Sequence, residues 1–253
     1  MTVYAVALSK GGTSKTALSS ELVRWLATLG GDVLAIDLDQ QGNLTARLGV
    51  TLDDEVEYTA ADVLRGDAGP IAAAVACPRM ENVGILVGAH DLNAVSEAPP
   101  PDLVTSLRDT PELVESWDDV VIDTPPALGG LTQAALAAAD VLVVPVATAA
   151  EAWDQIERLE EVLKMRIRRR VNPDLRIDWV VPTLYDGRRR IDREIEELLR
   201  QRFPDKTTIP APEAVVVKDS YTARLTVGEY APGTAVADAY EAIAKTIITG
   251  GAQ

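Results

Sequence analysis

The chain has 253 residues, 47% hydrophobic and 25% charged, enough for one large α/β domain or two small ones. Cys77 is the only cysteine, which excludes a disulfide framework and a metal site built on thiolates. A formal net charge of −15 argues against the surface as a whole binding nucleic acid or anionic lipid.

In chain order, short apolar runs alternate with amphipathic stretches, the pattern of βαβ units and a mainly parallel sheet. Strands are expected at Val3–Leu8, Val33–Ile36, Val83–Val87, Val120–Ile122, Val141–Val146 and Ile177–Val181. Each is rich in Val, Ile and Leu without polar alternation, as strands covered on both faces should be. Helices are expected at Thr16–Leu29, Leu131–Ala139, Ala152–Met165, Asp192–Arg202 and Thr234–Thr249, and Ala98–Asp102 reads as a loop before another helix. In Asp192–Arg202 the apolar side is expected to carry Ile191, Ile195, Leu198 and Leu199; in the last helix it is Val236, Tyr240, Ile243 and Ile247. No linker divides the chain, so residues 1–253 are read as a single α/β domain, a twisted sheet with helices on both faces. No run approaches the roughly 18 apolar residues of a membrane span. The opening MTVYAVALSKGG lacks the features of a signal peptide, so a cytoplasmic protein is expected.

The chemistry concentrates behind three strands. Ser9-Lys10-Gly11-Gly12-Thr13-Ser14-Lys15-Thr16 joins the first strand to a helix. A tight glycine turn into a helix N-terminus makes a phosphate cradle, because backbone N–H groups and the helix dipole converge on an anion. Lys15 is placed to reach the β- and γ-phosphates and the Thr16 hydroxyl to bind Mg²⁺. The strict G-x-x-x-x-G-K-[ST] pattern is not met, because Ser9 and Ser14 occupy both glycine positions. Two carboxylate sites follow apolar strands: Asp37-Leu38-Asp39-Gln40-Gln41-Gly42-Asn43 and Asp123-Thr124-Pro125-Pro126. Ligands of open α/β sheets collect at that edge. Asp123 suits a metal shell, usually through water. Asp37 and Asp39, two apart on an extended segment, should point the same way, one toward the metal and one toward water. A lone Asp after a strand can equally be a helix or turn cap.

Lys10–Thr16 resembles the deviant Walker A motif of the ParA/MinD ATPases, usually K-G-G-x-G-K-[ST]. Asp37–Asn43 resembles that family's D-x-D-P-Q-G-N segment, with Gln40 in place of the proline, and Asp123–Pro126 its Walker B and switch stretch. The likeness continues through Val141–Val146, Val180–Asp186, Ile209–Pro212 and Tyr230…Tyr240. It implies a P-loop NTPase fold and slow hydrolysis of ATP with Mg²⁺. Lys10, Lys15 and Asp39 would be catalytic, Lys10 acting across the interface of an ATP-dependent homodimer and Asp39 positioning the water. Lys10, Gly11, Gly12, Thr13, Ser14, Lys15, Thr16 and Ala17 would hold the nucleotide, with Thr183 and Pro212 near the adenine. Thr16, Asp37 and Asp123 would serve the metal. Ser14 is the departure that matters, if the family's glycine there needs a conformation serine disfavours.

Within that group the resemblance is nearest to Soj-like ParA partition ATPases without an N-terminal helix-turn-helix. Cys77 alone cannot serve a cluster shared between subunits. The end, Ala242–Gly251, has one lysine and no aromatic, so it is read as a core-packing helix with a frayed tail rather than a membrane anchor. From Lys164 to Arg190, nine basic residues stand against three acidic ones, a local +6 that leaves −21 on the remainder. Arg166, Arg168, Arg169 and Arg170 form one cluster, Arg188, Arg189 and Arg190 another. The resemblance implies non-specific double-stranded DNA binding there in the ATP dimer, nucleoid association, and stimulation by a ParB-like or centromere-binding partner. The other reading of the same arginines is a solvated face paired with Glu157, Glu160, Glu161 and Glu194. A weakly hydrolysing scaffold or filament, or a MinD-like membrane-positioning ATPase, is the alternative for the whole chain.

Overall fold

The structure, a computed structural model, describes residues 1–51 and 56–250. Seven strands form one sheet: β1 (Thr2–Val6), β2 (Val33–Asp37), β3 (Val75–Ala76), β4 (Val83–Leu86), β5 (Asp119–Asp123), β6 (Val141–Ala147) and β7 (Trp179–Thr183). Their order is β3-β4-β2-β5-β1-β6-β7, and every pair is parallel except β3 with β4. All six expected strands are present. The two-residue β3 is too short to carry a sequence period.

Among the described residues twelve α-helices accompany them: α1 (Lys15–Thr28), α2 (Asn43–Arg47), α3 (Ala60–Arg65), α4 (Pro70–Ala73), α5 (Leu92–Glu97), α6 (Pro111–Ser116), α7 (Gly130–Ala138), α8 (Ala152–Val162), α9 (Arg190–Arg202), α10 (Val215–Thr222), α11 (Val227–Tyr230) and α12 (Ala235–Ile248). The five long expected helices lie within two residues of their expected starts. The helix expected after Ala98–Asp102 begins only at Pro111, beyond a run of turns. The stretch read as Ala152–Met165 changes at Leu163 into a π-helical turn, Leu163–Ile167, whose ends are buried while Lys164, Met165 and Arg166 face outward.

Side chains alternate across the strands, so the sheet has a core on each face. Val3, Ala5, Leu34, Ile36, Val120 and Ile122 join α3, α5, α7, α8 and α9 on one face. Tyr4, Val6, Val33, Ala35 and Val121 join α1 and α12 on the other. Tyr240, Ile243 and Ile247 lie in that second core, and Val236 is packed against it. The apolar side of α12 is thereby committed; Gly251, the end of the expected tail, lies outside the described residues. On α9 only Ile195 and Leu199 reach the core. Ile191 and Leu198 are exposed, because the helix rests on the sheet along a narrower stripe than its spacing suggested. Among the described residues no helix is long and apolar enough to cross a membrane.

Candidate nucleotide site

The parallel register brings Val6, Asp123 and Asp37 side by side at the C-terminal ends of β1, β5 and β2. The β1–α1 turn folds over that edge with Gly12 at φ +73° and Ser14 at φ +62°, ψ 21°. Both are left-handed, a region glycine enters freely and serine at a cost. The conditional expectation for Ser14 is thus met: the position does require that conformation. The Ser14 side chain faces the buried Tyr240 of α12, and this interaction opposes the rise that burial causes in the Tyr240 pKa.

Lys15 is buried, and its ammonium donates to the Lys10 carbonyl at 2.8 Å. Burial pushes its pKa down, although Asp123 and Asp39 oppose this. The Thr16 hydroxyl donates to Asp123 Oδ2 and the Ser19 hydroxyl to Oδ1, each at 2.7 Å. Asp37 is fully buried; its Oδ2 accepts from the Thr45 amide and hydroxyl, both at 2.9 Å, and Oδ1 accepts from the Asp39 amide at 3.1 Å. Burial first, then their closeness to other carboxylates, raises both Asp37 and Asp123 well above the usual carboxylate range.

Asp39 does not share Asp37's direction as the alternation rule suggested. The chain leaves β2 after Asp37 and turns, with Gly42 N–H bonded to the Asp39 carbonyl. Asp39 therefore lines the cleft while Asp37 lies beneath it. Glycine is required below this turn: a Cβ on Gly88 would stand 2.7 Å from both Asp37 Cγ and the Asp39 carbonyl oxygen.

Above these groups opens a cleft of about 1040 Å³. Gly11, Gly12, Ser14, Lys15, Thr16, Ala17 and Asp39 form its inner end, and Pro212 lies on its far wall. Lys10, Thr13 and Thr183 do not line it. Lys10 points along the surface to Glu151 at the start of α8, 3.5 Å away, with 42% of its side chain exposed. Thr13 is buried, its hydroxyl 3.4 Å from the Lys10 carbonyl. Thr183 is buried and its hydroxyl has no hydrogen-bond partner among the described residues; Leu184 takes its place on the wall. The sequence reading overlooked Arg47, Asn43 and most of α10, which complete the lining. Asn43 closes the Asp37–Asn43 motif, but Arg47 and α10 follow no motif, and only the fold returns α10 to this edge.

The site fits Mg·ATP on its own chemistry. A buried cation stands beside a carboxylate–hydroxyl pair of hard oxygen donors, at a helix N-terminus under a cleft of nucleotide size. Among the described residues no three His, Cys, Asp or Glu side chains converge as a metal cage. A metal here would share its shell with phosphate, as Mg²⁺ commonly does.

The two arginine clusters separate. Arg188–Arg190 follow β7 at the nucleotide edge, where Arg188 and Arg189 line the cleft. Each is paired: Arg188 with Asp186 at 2.8 Å, Arg189 with Glu213 at 2.7 Å, Arg190 with Glu194 at 2.5 Å. The hydrogen-bonding Arg188 holds Asp186 down at about 2. Arg166–Arg170 lie at the opposite edge, because α8 runs back from Glu151. Beyond it, the Asn172 side-chain amide donates to the carbonyls closing α7, and Asp178 Oδ2 accepts from the Leu142 amide near the start of β6. Arg166, Arg168, Arg169 and Arg170 are exposed and make no ion pair among the described residues; with Lys164 and Pro173, Arg168 and Arg169 line a shallow cavity. Glu160, expected as a partner for this cluster, pairs instead with Arg202 at 3.1 Å.

A family model described as an AAA domain matches residues 1–177. The chain is 34% identical over 248 residues to the chromosome-partitioning ATPase Soj of Thermus thermophilus, covering 96% of this chain and 94% of that one. To the sporulation initiation inhibitor protein Soj of Bacillus subtilis it is 30% identical over 255 residues, covering 98% and 99%. Among solved structures it is similar to a cobyrinic acid a,c-diamide synthase from Mycobacterium smegmatis with bound ATP analogue and magnesium. That pair has a TM-score of 0.77 and 27% identity, covering 98% of this chain and 94% of that one. Motifs, sheet order and relatives along nearly the whole length agree: the chain belongs to the ParA/MinD-type P-loop ATPases.

Proposed function

We propose that this chain is a partition or positioning ATPase that closes into a homodimer around Mg·ATP and reopens after hydrolysis. The observation that carries the reading is the buried Lys15 beside the Thr16–Asp123 pair, beneath a cleft that Asp39 also enters. Lys15 would hold phosphate oxygens, its burial strengthening the attraction. Thr16 and Asp123 would hold the metal, which neutralises phosphate charge when bound. Asp37 has its oxygens committed to Thr45 and Asp39, so its part is chiefly to fix α2 and the Asp39 turn. Asp39 would orient the attacking water. Lys10, outside its own cleft and held only by an exposed ion pair, is free to serve a second copy's phosphates.

Soj of Thermus thermophilus is named for chromosome partitioning, and this chain would bind DNA without sequence preference. Of the two arginine clusters, Arg166–Arg170 is the better suited, since its arginines are exposed and make no ion pair among the described residues. Arg188–Arg190 would contribute only after leaving their carboxylates. Turnover would be stimulated by a ParB-like adaptor or centromere-binding protein, in the cytoplasm and over the nucleoid. The buried apolar side of α12 speaks against a membrane role.

Phosphate release and dimerisation test the reading together. Lys15→Ala should abolish Mg·ATP hydrolysis, and Asp39→Ala should abolish hydrolysis while trapping an ATP-bound dimer in size-exclusion chromatography. Parental turnover in Asp39→Ala would remove Asp39 from the water's path.

A further inference from the structure

Arg47 closes α2, five residues past Gly42, and is buried at 5% exposure while lining the nucleotide cleft. Among the described residues no carboxylate pairs with it. Its hydrogen bonds all go to neutral acceptors of one segment: Nη2 to the Val217 carbonyl at 2.8 Å, Nη1 to Ser220 Oγ at 2.9 Å and to the Leu225 carbonyl at 3.3 Å. Its Cζ lies 5.6 Å from the centre of the Tyr221 ring, within cation–π range.

Glu21 and Asp123 act on Arg47 only from beyond ion-pair distance, and a buried cation with no anion in contact is unfavourable unless something else supplies one. The cleft it borders is where a polyphosphate would lie. The segment it grips is the far wall: Val215, Val217, Lys218, Tyr221 and Thr222 of α10 all line the same cleft. Two residues before Arg47, Thr45 is held by both its amide and its hydroxyl to Asp37. A short rigid helix therefore joins the carboxylate floor of the site to the helix that walls it.

We propose that Arg47 is a positioning residue that clamps α10 over the nucleotide cleft and makes its closure depend on an anion bound there. Nucleotide phosphate supplies the missing counter-charge, the fork tightens on Val217, Ser220 and Leu225, and α10 is held over the ligand. The inference rests on the Mg·ATP reading above.

The test uses the full chain with the Mg²⁺ complex of a non-hydrolysable ATP analogue, read by calorimetry and by hydrogen exchange. In the parent, ligand should slow exchange across 215–222. Arg47→Met keeps the bulk and removes the charge. It should weaken binding by about tenfold or more, equivalent to at least about 1.4 kcal/mol, and lose the ligand-dependent slowing at 215–222 while α12 keeps its protection. Arg47→Lys retains charge without the fork, so it should bind better than the Met variant yet still fail to protect 215–222. Parental affinity in Arg47→Met overturns the proposal, as does weaker binding with 215–222 still protected by ligand. Should the Met variant not fold, the parent alone decides: bound analogue that leaves exchange at 215–222 unchanged also overturns it. If the parent binds no nucleotide, the ATPase reading itself fails.

Discussion

Replacing Ser14 by glycine sets one gain against two losses. Relieving the left-handed conformation of a non-glycine residue gains about 1–2 kcal/mol. Glycine's greater freedom in the unfolded chain opposes this by about 0.5–1 kcal/mol. The substitution also takes the Ser14 side chain away from the hydroxyl of Tyr240, a residue 1% exposed, a loss of about 1–3 kcal/mol for a buried polar group. The sum is a modest destabilisation of about 1 kcal/mol, or a fall in melting temperature of about 2–4 °C for a chain of this size. The sharper measurement is a double-mutant cycle in urea with Tyr240→Phe. In the parent the phenylalanine should destabilise, because it removes the partner of Ser14. In Ser14→Gly it should be neutral or stabilising, because it removes an orphaned hydroxyl. The coupling should be about 1–2 kcal/mol. A Tyr240→Phe effect that is equal in both backgrounds would refute the idea that this hydrogen bond holds the loop.

Gly88→Ala should lower stability by about 1–3 kcal/mol and abolish nucleotide binding, since its methyl would meet Asp37 and the Asp39 backbone; the urea midpoint and calorimetry check both. Asp37 and Asp123 titrate above their unfolded values, so the metal-free fold is favoured at low pH and loses stability as pH rises from about 4 toward neutrality. Mg²⁺ competes with those protons, so nucleotide-dependent Mg²⁺ affinity should rise over the same range; a flat profile would contradict the raised values. For DNA, Arg168→Ala/Arg169→Ala should reduce the slope of log affinity against log salt by about 2, while Arg188→Ala/Arg189→Ala should change it less. Equal slopes in parent and Arg168→Ala/Arg169→Ala would exclude that cavity from the contact.

The phosphate loop and the two carboxylate segments were legible because each is local. A strand, a turn and a helix N-terminus lie within a few residues, and the apolar runs before Asp37 and Asp123 identify the edge they share. The direction of Asp37 was misjudged for an equally local reason: strand alternation ends where Gly42 and Gly88 let the backbones approach. The basic window looked like one patch because sequence distance was all there was to measure. The fold sends α8 away from the nucleotide edge and brings β7 back to it, so the seventeen residues between Arg170 and Arg188 separate opposite ends of the sheet.

By itself the sequence determined the parallel α/β architecture, the order of the three motifs and the identity of the charges at the phosphate edge. These follow from periodicity and composition within single elements. Tertiary structure decided which groups are partnered. It placed Tyr240 against Ser14, 226 residues away in the chain, brought α10 to the wall of the cleft, and left Arg47 as a buried cation among neutral acceptors. Burial and pairing belong to surfaces brought together from distant segments, and no local pattern encodes them.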